Sequence, residues 1–398
     1  MKLSTLALQR MATQGILEQQ VKLARIQLQV ATGQRILSPS DDPAGATRLL
    51  SIDAGLDQIA QYDKNATLAL NRLSSEESAL NSVGNVLQRA RELVVQALNG
   101  TQTSEDRELI SAEIGQILDE LVRVANSRDA NGEYLFSGNI SRTKPFQRGP
   151  GGTFNYFGDQ GQRFLSIGDN RQVAVGDSGA EVFQLIRNGN GTFTTVAQPT
   201  NTGTGVINAG SLVDPTAWVP DTYTVTFTST NSYEVTDSSA AVVSTGTFTS
   251  EEAITFNGIE FNITGTPSTG DQYVVEPARN QDMFTTLQNI FNALANGASS
   301  PDQRARQNSE LGRGLSEIDQ AIEKILDTRT VVGGRLKTIE TQQGINQGTT
   351  LELSKVRSSI QDLDFAEAVS QLNIELVGLE AAQKAYTRVQ NLSLFNFI

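Results

Sequence analysis

Asp362-Leu363-Asp364-Phe365-Ala366-Glu367-Ala368-Val369-Ser370-Gln371-Leu372-Asn373-Ile374-Glu375-Leu376-Val377-Gly378-Leu379 opens the segment that decides the fold. Phe365, Val369, Leu372, Leu376 and Leu379 recur at alternating steps of four and three, and the register runs on through Gln383, Tyr386 and Gln390. That spacing places one narrow apolar stripe along a continuous helix, the seam of a coiled coil, with Leu394 and Phe395 extending it. A helix from Asp362 to Leu394 would be on the order of 50 Å long. A helix of that length with so narrow a stripe needs a partner helix.

The other end of the chain supplies one. Leu17, Val21, Ala24, Leu28 and Ala31 keep the same four-three alternation, preceded by Leu3 and Leu6, with Gln at many remaining positions. Two narrow stripes at opposite termini point to ends that pair, with the rest of the chain looping out between them. Ala, Gln and Thr occupy seam positions as well as Leu, so the pair alone is expected to be weak. It should become well ordered only when further copies surround it.

Composition narrows the function. The chain of 398 residues is long enough for two or three domains with an ample core. It has no Cys and no His, which removes disulfides, thiol chemistry, the commonest general base and the commonest metal ligand. Its 31 basic against 44 acidic residues leave a net charge of −13, which argues against nucleic acid and anionic membrane surfaces as partners. No run approaches the ~20 apolar residues of a membrane span, so no membrane insertion is expected. Met1-Lys2-Leu3-Ser4 lacks the apolar core and cleavage site of a secretory signal peptide. The expectation is a soluble protein that leaves the cell, if it does, by another route.

Working inward, three zones differ in composition. In the first, Leu49, Ile52, Leu56, Ile59, Ala66, Leu70, Leu73, Leu80, Leu87 and Val94 share one heptad register. They predict a single helix from Pro43 to about Leu98, with Asp42 as N-cap and Pro43 as first helical residue. Asn99-Gly100 ends it, and Thr103 or Ser104 caps a second helix through about Asn126. From about 141 to 280, Gly, Thr, Ser and Asn crowd in and short alternating runs replace heptads, as in Tyr223–Phe227 and Ile259–Ile263. Asn257-Gly258 reads as a hairpin turn. Between Asn188 and Ala278 stand nine acidic residues and no Lys or Arg, a surface that serves solubility or recruits a basic partner. Helix returns near Asn280. Ser300-Pro301 caps a helix start, and Leu315, Ile318, Ile322, Ile325, Val332, Leu336 and Ile339 keep a heptad register through Gly333-Gly334.

The fold class is therefore α+β and multidomain: a discontinuous coiled-coil rod of long helices built from both termini, with an inserted all-β domain. The division expected is a terminal coiled-coil domain (1–42 with 360–398), a helical rod domain (43–146 with 280–359) and an outward-facing β domain (147–279).

No stretch reaches the standard of a catalytic constellation. Asp41 and Asp42 can be read as paired carboxylates, but adjacent acids before a Pro are more simply a turn and a helix cap. Gly149, Gly151 and Gly152 lack the Gly-Lys-Ser/Thr of a phosphate loop and read as a flexible hinge into the β zone. Asp169-Asn170 and Asp177 suggest a calcium loop without EF-hand spacing. Trp218, between Pro215 and Pro220, reads as a sugar-stacking platform or as the anchor of a loop on a core.

Several stretches match a known family. Gly33-x-Arg35-Ile36-x-Ser38-Pro39-Ser40-Asp41-Asp42-Pro43-Ala44-Gly45 resembles the N-terminal signature of the flagellin superfamily. Its Pro39 and Pro43 are similar to the hook–filament junction branch, the hook-associated protein 3 family. Asn126-x-Arg128-Asp129-Ala130-Asn131-Gly132-x-Tyr134-Leu135-Phe136-Ser137-Gly138, with Pro145-Phe146, resembles the same family. So do Asp362-x-Asp364-x-Ala366-Glu367-Ala368, the closing Ser393-Leu394-Phe395-Asn396-Phe397, and Ile254–Ile259. The resemblance covers about 1–146 and 280–398.

The resemblance implies a structural, non-enzymatic and cofactor-free component of the bacterial flagellum. It implies export through the flagellar type III apparatus, with a cytoplasmic export chaperone and no cleaved signal peptide. It further implies self-assembly into a ring or short tube between hook-associated protein 1 and the flagellin filament. The competing readings are a filament flagellin, against which Pro39, Pro43 and the Phe397-Ile398 ending speak, and a surface adhesin acting through the β domain. An enzyme has no His, Cys or motif to support it.

Overall fold

The computed structural model of the protein describes residues 5–391, which form two compact units, each taken by itself here. Six α-helices follow in order: α1 (Thr5–Thr32), α2 (Pro43–Leu98), α3 (Ser104–Ala125), α4 (Met283–Ala295), α5 (Pro301–Gln361) and α6 (Phe365–Asn391). Between α3 and α4 every strand pairing is antiparallel. The α+β class, with long terminal helices and a central β region, is as the heptads and alternating runs foretold.

The first unit holds α1, α2 as far as Lys64, α5 from Gln342 and α6. The turns near 42 and 360 both lie inside it. Here α2 and α5 run antiparallel, tied by Arg357–Asp53 (3.6 Å) and by Asn346 Nδ2 donating to Asp63 (2.9 Å). α1 and α6 form a second antiparallel pair, with Gln34 bridging to Asp362 at one end and Gln19 donating to the Glu375 carboxylate farther along.

The second unit spans Asn65–Thr341 and contains two hydrophobic cores. α2 and α5 again lie side by side, joined by Arg91–Asp319 (2.7 Å) and Arg329–Glu77 (2.7 Å). The predicted heptad positions Leu73, Leu80, Leu87 and Val94 face Ile318, Ile325, Val332 and Ile339 across a hydrophobic core that α3 and α4 complete. Gly333-Gly334 does not interrupt α5, because both residues face outward. Thr103 caps α3 in a reciprocal capping box with Asp106, and Asp282 caps α4 through the Thr285 N–H.

The strands divide between the two cores. The hairpins Phe146–Arg148/Phe154–Tyr156 and Phe164–Gly168/Arg171–Ala174, with the turn of helix at Ala180–Gln184, pack on the helical core. Phe136, Phe146, Phe183 and Phe284 meet there at ring separations of 5.0–5.7 Å. Residues 193–275 enclose a core of their own. A five-stranded sheet, in the order Val242–Thr247, Ser232–Thr236, Tyr223–Ser229, Gln272–Pro277 and Phe193–Ala197, accompanies a four-stranded sheet centred on Ile259–Thr264. Tyr223, Val225 and Phe227 face inward, as do Ile259, Phe261 and Ile263, the strand period read from the sequence. Arg306 of α5 donates to the Asn201 carbonyl, and Ser309 Oγ accepts from the Ile207 N–H (3.2 Å), which docks this core on α5.

Two readings need correction, and of the two offered for Trp218 one stands. Gly149–Gly152 is the tight turn of a hairpin, closed by Gly149 N–H donating to Thr153 O (2.8 Å), and no hinge lies there. Asp169-Asn170 is the turn between two strands, with Asn170 in the left-handed region. Asp177 is buried and ion-paired to Arg335. Trp218 is a loop anchor, its indole against Phe193 and Tyr223 at 5.8 and 6.1 Å.

Candidate functional site

The residues singled out in the sequence fall in three places: the α1/α6 pair, the elbow where α1 turns into α2, and the loop after α3.

In the α1/α6 pair, the predicted stripes and the intrachain interface do not coincide. Ala12, Ile16, Gln19, Leu23, Ile26 and Val30 of α1, and Ala368, Leu372, Glu375, Leu379, Ala382 and Tyr386 of α6, are shielded from solvent. Both sets step four-three, so this is a heptad seam, in which Ala12, Gln19, Ala368, Glu375 and Ala382 interrupt larger apolar residues. Leu372, Leu379 and Tyr386 belong to it as expected. Leu17, Val21 and Leu28 do not: at 100° per residue they lie roughly 140–180° around α1, facing away from α6. They are 61%, 68% and 54% exposed. Phe365, Val369 and Leu376 flank the α6 seam and are 54%, 45% and 42% exposed, with Ile374 and Val377 exposed on the opposite face. α1 thus carries two apolar stripes. The large apolar residues of α1 divide between the two stripes, Ile16, Leu23, Ile26 and Val30 on the inner and Leu17, Val21 and Leu28 on the outer, so counting them does not decide which stripe meets α6. Leu3, Leu394 and Phe395 lie outside the described residues, as does the side chain of Leu6.

The elbow gathers the first family motif. α1 ends at Gly33, whose φ of +71° an L side chain rarely adopts, and the Phe365 ring passes 3.6 Å from where a Cβ would stand. Gln34 then pairs with Asp362 as one rung of antiparallel ladder: Arg35 N–H donates to Gln361 O (2.7 Å) and Leu363 N–H to Gly33 O (3.0 Å). The Arg35 guanidinium donates through Nη2 (2.8 Å) and Nε (3.2 Å) to Ile360 O, one of the carbonyls that the end of α5 leaves without a helical partner. Arg35 also approaches Asp42 at 3.6 Å. Asp41 Oδ2 accepts from the Leu37 and Ser38 N–H groups (3.1 Å each), and its other oxygen pairs with Arg25 at 3.0 Å. Asp42 accepts from the Gly45 N–H (2.9 Å) and caps α2, with Pro43 in the first turn. A Cβ on Gly45 would meet Asp42 at 2.5 Å and Ile36 at 2.8 Å. Ser38 bonds Ser40 (2.6 Å), and Pro39 is exposed. Asp41 and Asp42 are thus a turn and a cap, as the simpler reading held. The motif fastens the α1–α2 turn to the α5–α6 turn.

The loop after α3 holds the second motif. Asn126 donates to Phe146 O (3.0 Å) and Val122 O (2.8 Å) while accepting from Phe146 N–H (2.9 Å). Asp129 Oδ1 accepts from the Asn131 and Glu133 N–H groups, folding the turn around Gly132, and Asp129 pairs with Arg72 at 2.9 Å. Arg128 lies over the Tyr134 ring at 4.3 Å. Phe136 is fully buried, and a Cβ on Gly138 (φ +69°) would stand 2.4 Å from Asp159 O.

Sequence reasoning missed a third cluster. Glu76 on α2 is buried beside Asp177 and Arg335, and burial, then the Asp177 charge, push its carboxyl up to about 8. Burial also raises the Glu317 carboxyl, which Arg313 and Gln281 only partly offset. Among the described residues no group of acidic side chains is arranged to hold a metal ion, and no helix is long and apolar enough to cross a membrane.

Long paired terminal helices clasped by an elbow of backbone hydrogen bonds have the architecture of a structural protein. The model of the bacterial flagellin N-terminal helical region matches residues 3–141. The crystal structure of FlgL from Xanthomonas campestris is 33% identical, covers 77% of this chain and 99% of that one, and superposes with a TM-score of 0.73. The flagellar junction protein FlgL from Legionella pneumophila is 34% identical, covering 73% of this chain and 98% of that one, with a TM-score of 0.69. Flagellar hook-associated protein 3 of Escherichia coli K12 is 24% identical over 395 residues, 99% of each chain. The chain belongs to the flagellar hook-associated protein 3 (FlgL) family. It is a structural component of the bacterial flagellum and not an enzyme.

Proposed function

We propose that this protein joins hook-associated protein 1 to the flagellin filament, assembling as a ring or short tube through the stripe its α1/α6 pair leaves exposed. The observation that carries this reading is the second heptad stripe on α1. Leu17, Val21 and Leu28 keep coiled-coil spacing yet face solvent in the single chain, where apolar groups on one helical face have no reason to persist unless another helix covers them. Exposed apolar positions on two faces of α6 provide for more than one neighbour. Of the intrachain seam only Ile26 and Ala368 are buried and the other residues are half-buried, so added burial from neighbours supplies the stability of the assembled helices.

The same reading includes export through the flagellar type III apparatus with a cytoplasmic chaperone, for which weakly paired terminal helices are suited. It assigns the division into terminal (1–42 with 360–398), helical (43–146 with 280–359) and β (147–279) regions to wall, support and outer surface. Pro39 stands exposed in the elbow, and hook-associated protein 3 of Escherichia coli matches over 99% of its length. Flagellin from Listeria monocytogenes, by contrast, matches over 112 residues, so the junction reading is preferred to filament flagellin.

Immunogold labelling of intact flagella with antibody against residues 147–280 tests the position. A single narrow band between hook and filament is expected. Label along the filament would make the protein a flagellin, and label confined to the cell body would overturn both.

A further inference from the structure

We propose that Glu76 is a proton-held latch: its neutral carboxyl closes segment 160–178 onto α2 and α5, and loss of that proton in alkaline solution opens it. The geometry stands on a charge balance. Glu76 is 1% exposed; Oε1 accepts from the Asp177 N–H at 3.0 Å, and Oε2 is buried with no hydrogen-bond partner. Every guanidinium facing it is already committed. Arg335 of α5 forks onto both oxygens of Asp177 (2.9 and 3.0 Å), which also accepts from Gln162 (2.7 Å). Arg72 of α2 bonds Asp129, Glu133 and Tyr134 O, and Arg163 bonds Glu133. The adjacent residue, Glu77, pairs with Arg329. Three guanidiniums, Arg72, Arg163 and Arg335, therefore balance three carboxylates, Asp129, Glu133 and Asp177. An ionised Glu76 would be a fourth carboxylate, buried and without a counter-ion, a state proteins avoid by keeping the proton.

The consequence of ionisation follows from what Asp177 holds. An anionic Glu76 competes for Arg335 and repels Asp177, whose N–H and carboxylate fasten the segment to α2 and α5. The next residues, Ser178 and Gly179, lead into Ala180–Gln184, which seats Phe183 among Phe136, Phe146 and Phe284. Release at Asp177 therefore loosens that aromatic cluster. A cleft of about 570 Å³, lined by Gln162, Phe164, Asp177, Lys324 and Arg335, opens on the solvent side of the Asp177–Arg335 pair.

The direction of the pH effect is fixed. The folded carboxyl titrates at about 8 against 4.5 for the free group, so folding takes up a proton between those values. This contribution is complete below pH 4.5 and is lost as pH rises through about 8. Across that window the folding equilibrium constant falls by up to about a thousandfold.

Denaturant unfolding of the full chain and of Glu76→Gln, which keeps an oxygen to accept from Asp177 N–H, is the test. The wild type should lose stability steadily from about pH 5 to about pH 8, whereas E76Q should lose most of that slope, keeping the part contributed by Glu317. Infrared spectra of the folded wild type at about pH 7 should show the carbonyl stretch of a protonated carboxylic acid that bleaches as pH passes about 8. Amide exchange in 160–178, corrected for intrinsic rate, should quicken over the same interval. An unchanged slope in E76Q would overturn the proposal. So would a wild type without the protonated-carboxyl band, which decides the matter even if E76Q fails to fold.

Discussion

Replacing Leu17, Val21 and Leu28 together by Gln should leave the single chain folded and remove it from the flagellum. Gln is nearly as good a helix former as Leu and already fills much of α1, so the helix itself should persist. The three side chains are 61%, 68% and 54% exposed in the isolated chain. Full burial of such a side chain contributes about 1.5–3 kcal/mol, so covering the exposed fractions of all three contributes roughly 3–5 kcal/mol per subunit. Losing it weakens association by about two to four orders of magnitude. The assay is to supply the variant to cells lacking their own copy and compare by immunoblot what is retained in purified flagella with what is shed into the medium. The triple variant should be secreted but not retained, and swimming should fail, while circular dichroism of the purified protein stays as in the wild type. Ile26→Gln, at the buried intrachain seam, is the contrast: it should melt the terminal helices of the isolated chain. A triple variant retained at the wild-type level with normal swimming would refute the reasoning.

Three further predictions concern stability. Asn126→Ala removes both amide bonds to the buried Phe146 backbone and should cost about 2–4 kcal/mol in urea unfolding, since Phe146 N–H and O are left unpaired. Gly138→Ala forces a left-handed Ala against Asp159 O and should cost more than about 2 kcal/mol. Gly334→Ala, mid-helix with open space around it, should instead raise the urea midpoint, by about 0.5–1 kcal/mol of stability.

What the sequence disclosed, and what it did not, follows one rule. Signals carried by local chemistry were legible. Pro43 and Asn99-Gly100 bounded α2, Thr103 capped α3, and Asn257-Gly258 turned a hairpin, because caps and turns are made by the residues that name them. The heptads of α2 and α5 were legible for the same reason, and Gly333-Gly334 proved harmless because the rest of the register supports the helix. Pairing between distant segments was not legible where it uses small or polar groups. α1 carries large apolar residues on two faces, Ile16, Leu23, Ile26 and Val30 as well as Leu17, Val21 and Leu28, and Gln19, Ala368 and Ala382 on the seam do nothing to mark which face meets α6. The elbow was visible as a motif but not as a clasp, since its work is done by backbone carbonyls of Ile360 and Gln361, which any residue supplies. Glu76 gave no signal at all: a Glu on a helix is ordinarily solvated, and only Asp177, about a hundred residues away, reveals that this one is not.

The central claim is that the outward stripe on α1 and α6 becomes buried between subunits. A chain without cysteine allows it to be measured directly. Single variants Leu17→Cys, Leu28→Cys and Leu376→Cys, with Val242→Cys on an exposed strand as reference, are treated with a bulky maleimide as isolated protein and in intact flagella. All four should label rapidly in isolation. In flagella the three stripe positions should be protected while Val242→Cys still labels. Equal labelling of Leu17→Cys in isolated protein and intact flagella would contradict the account.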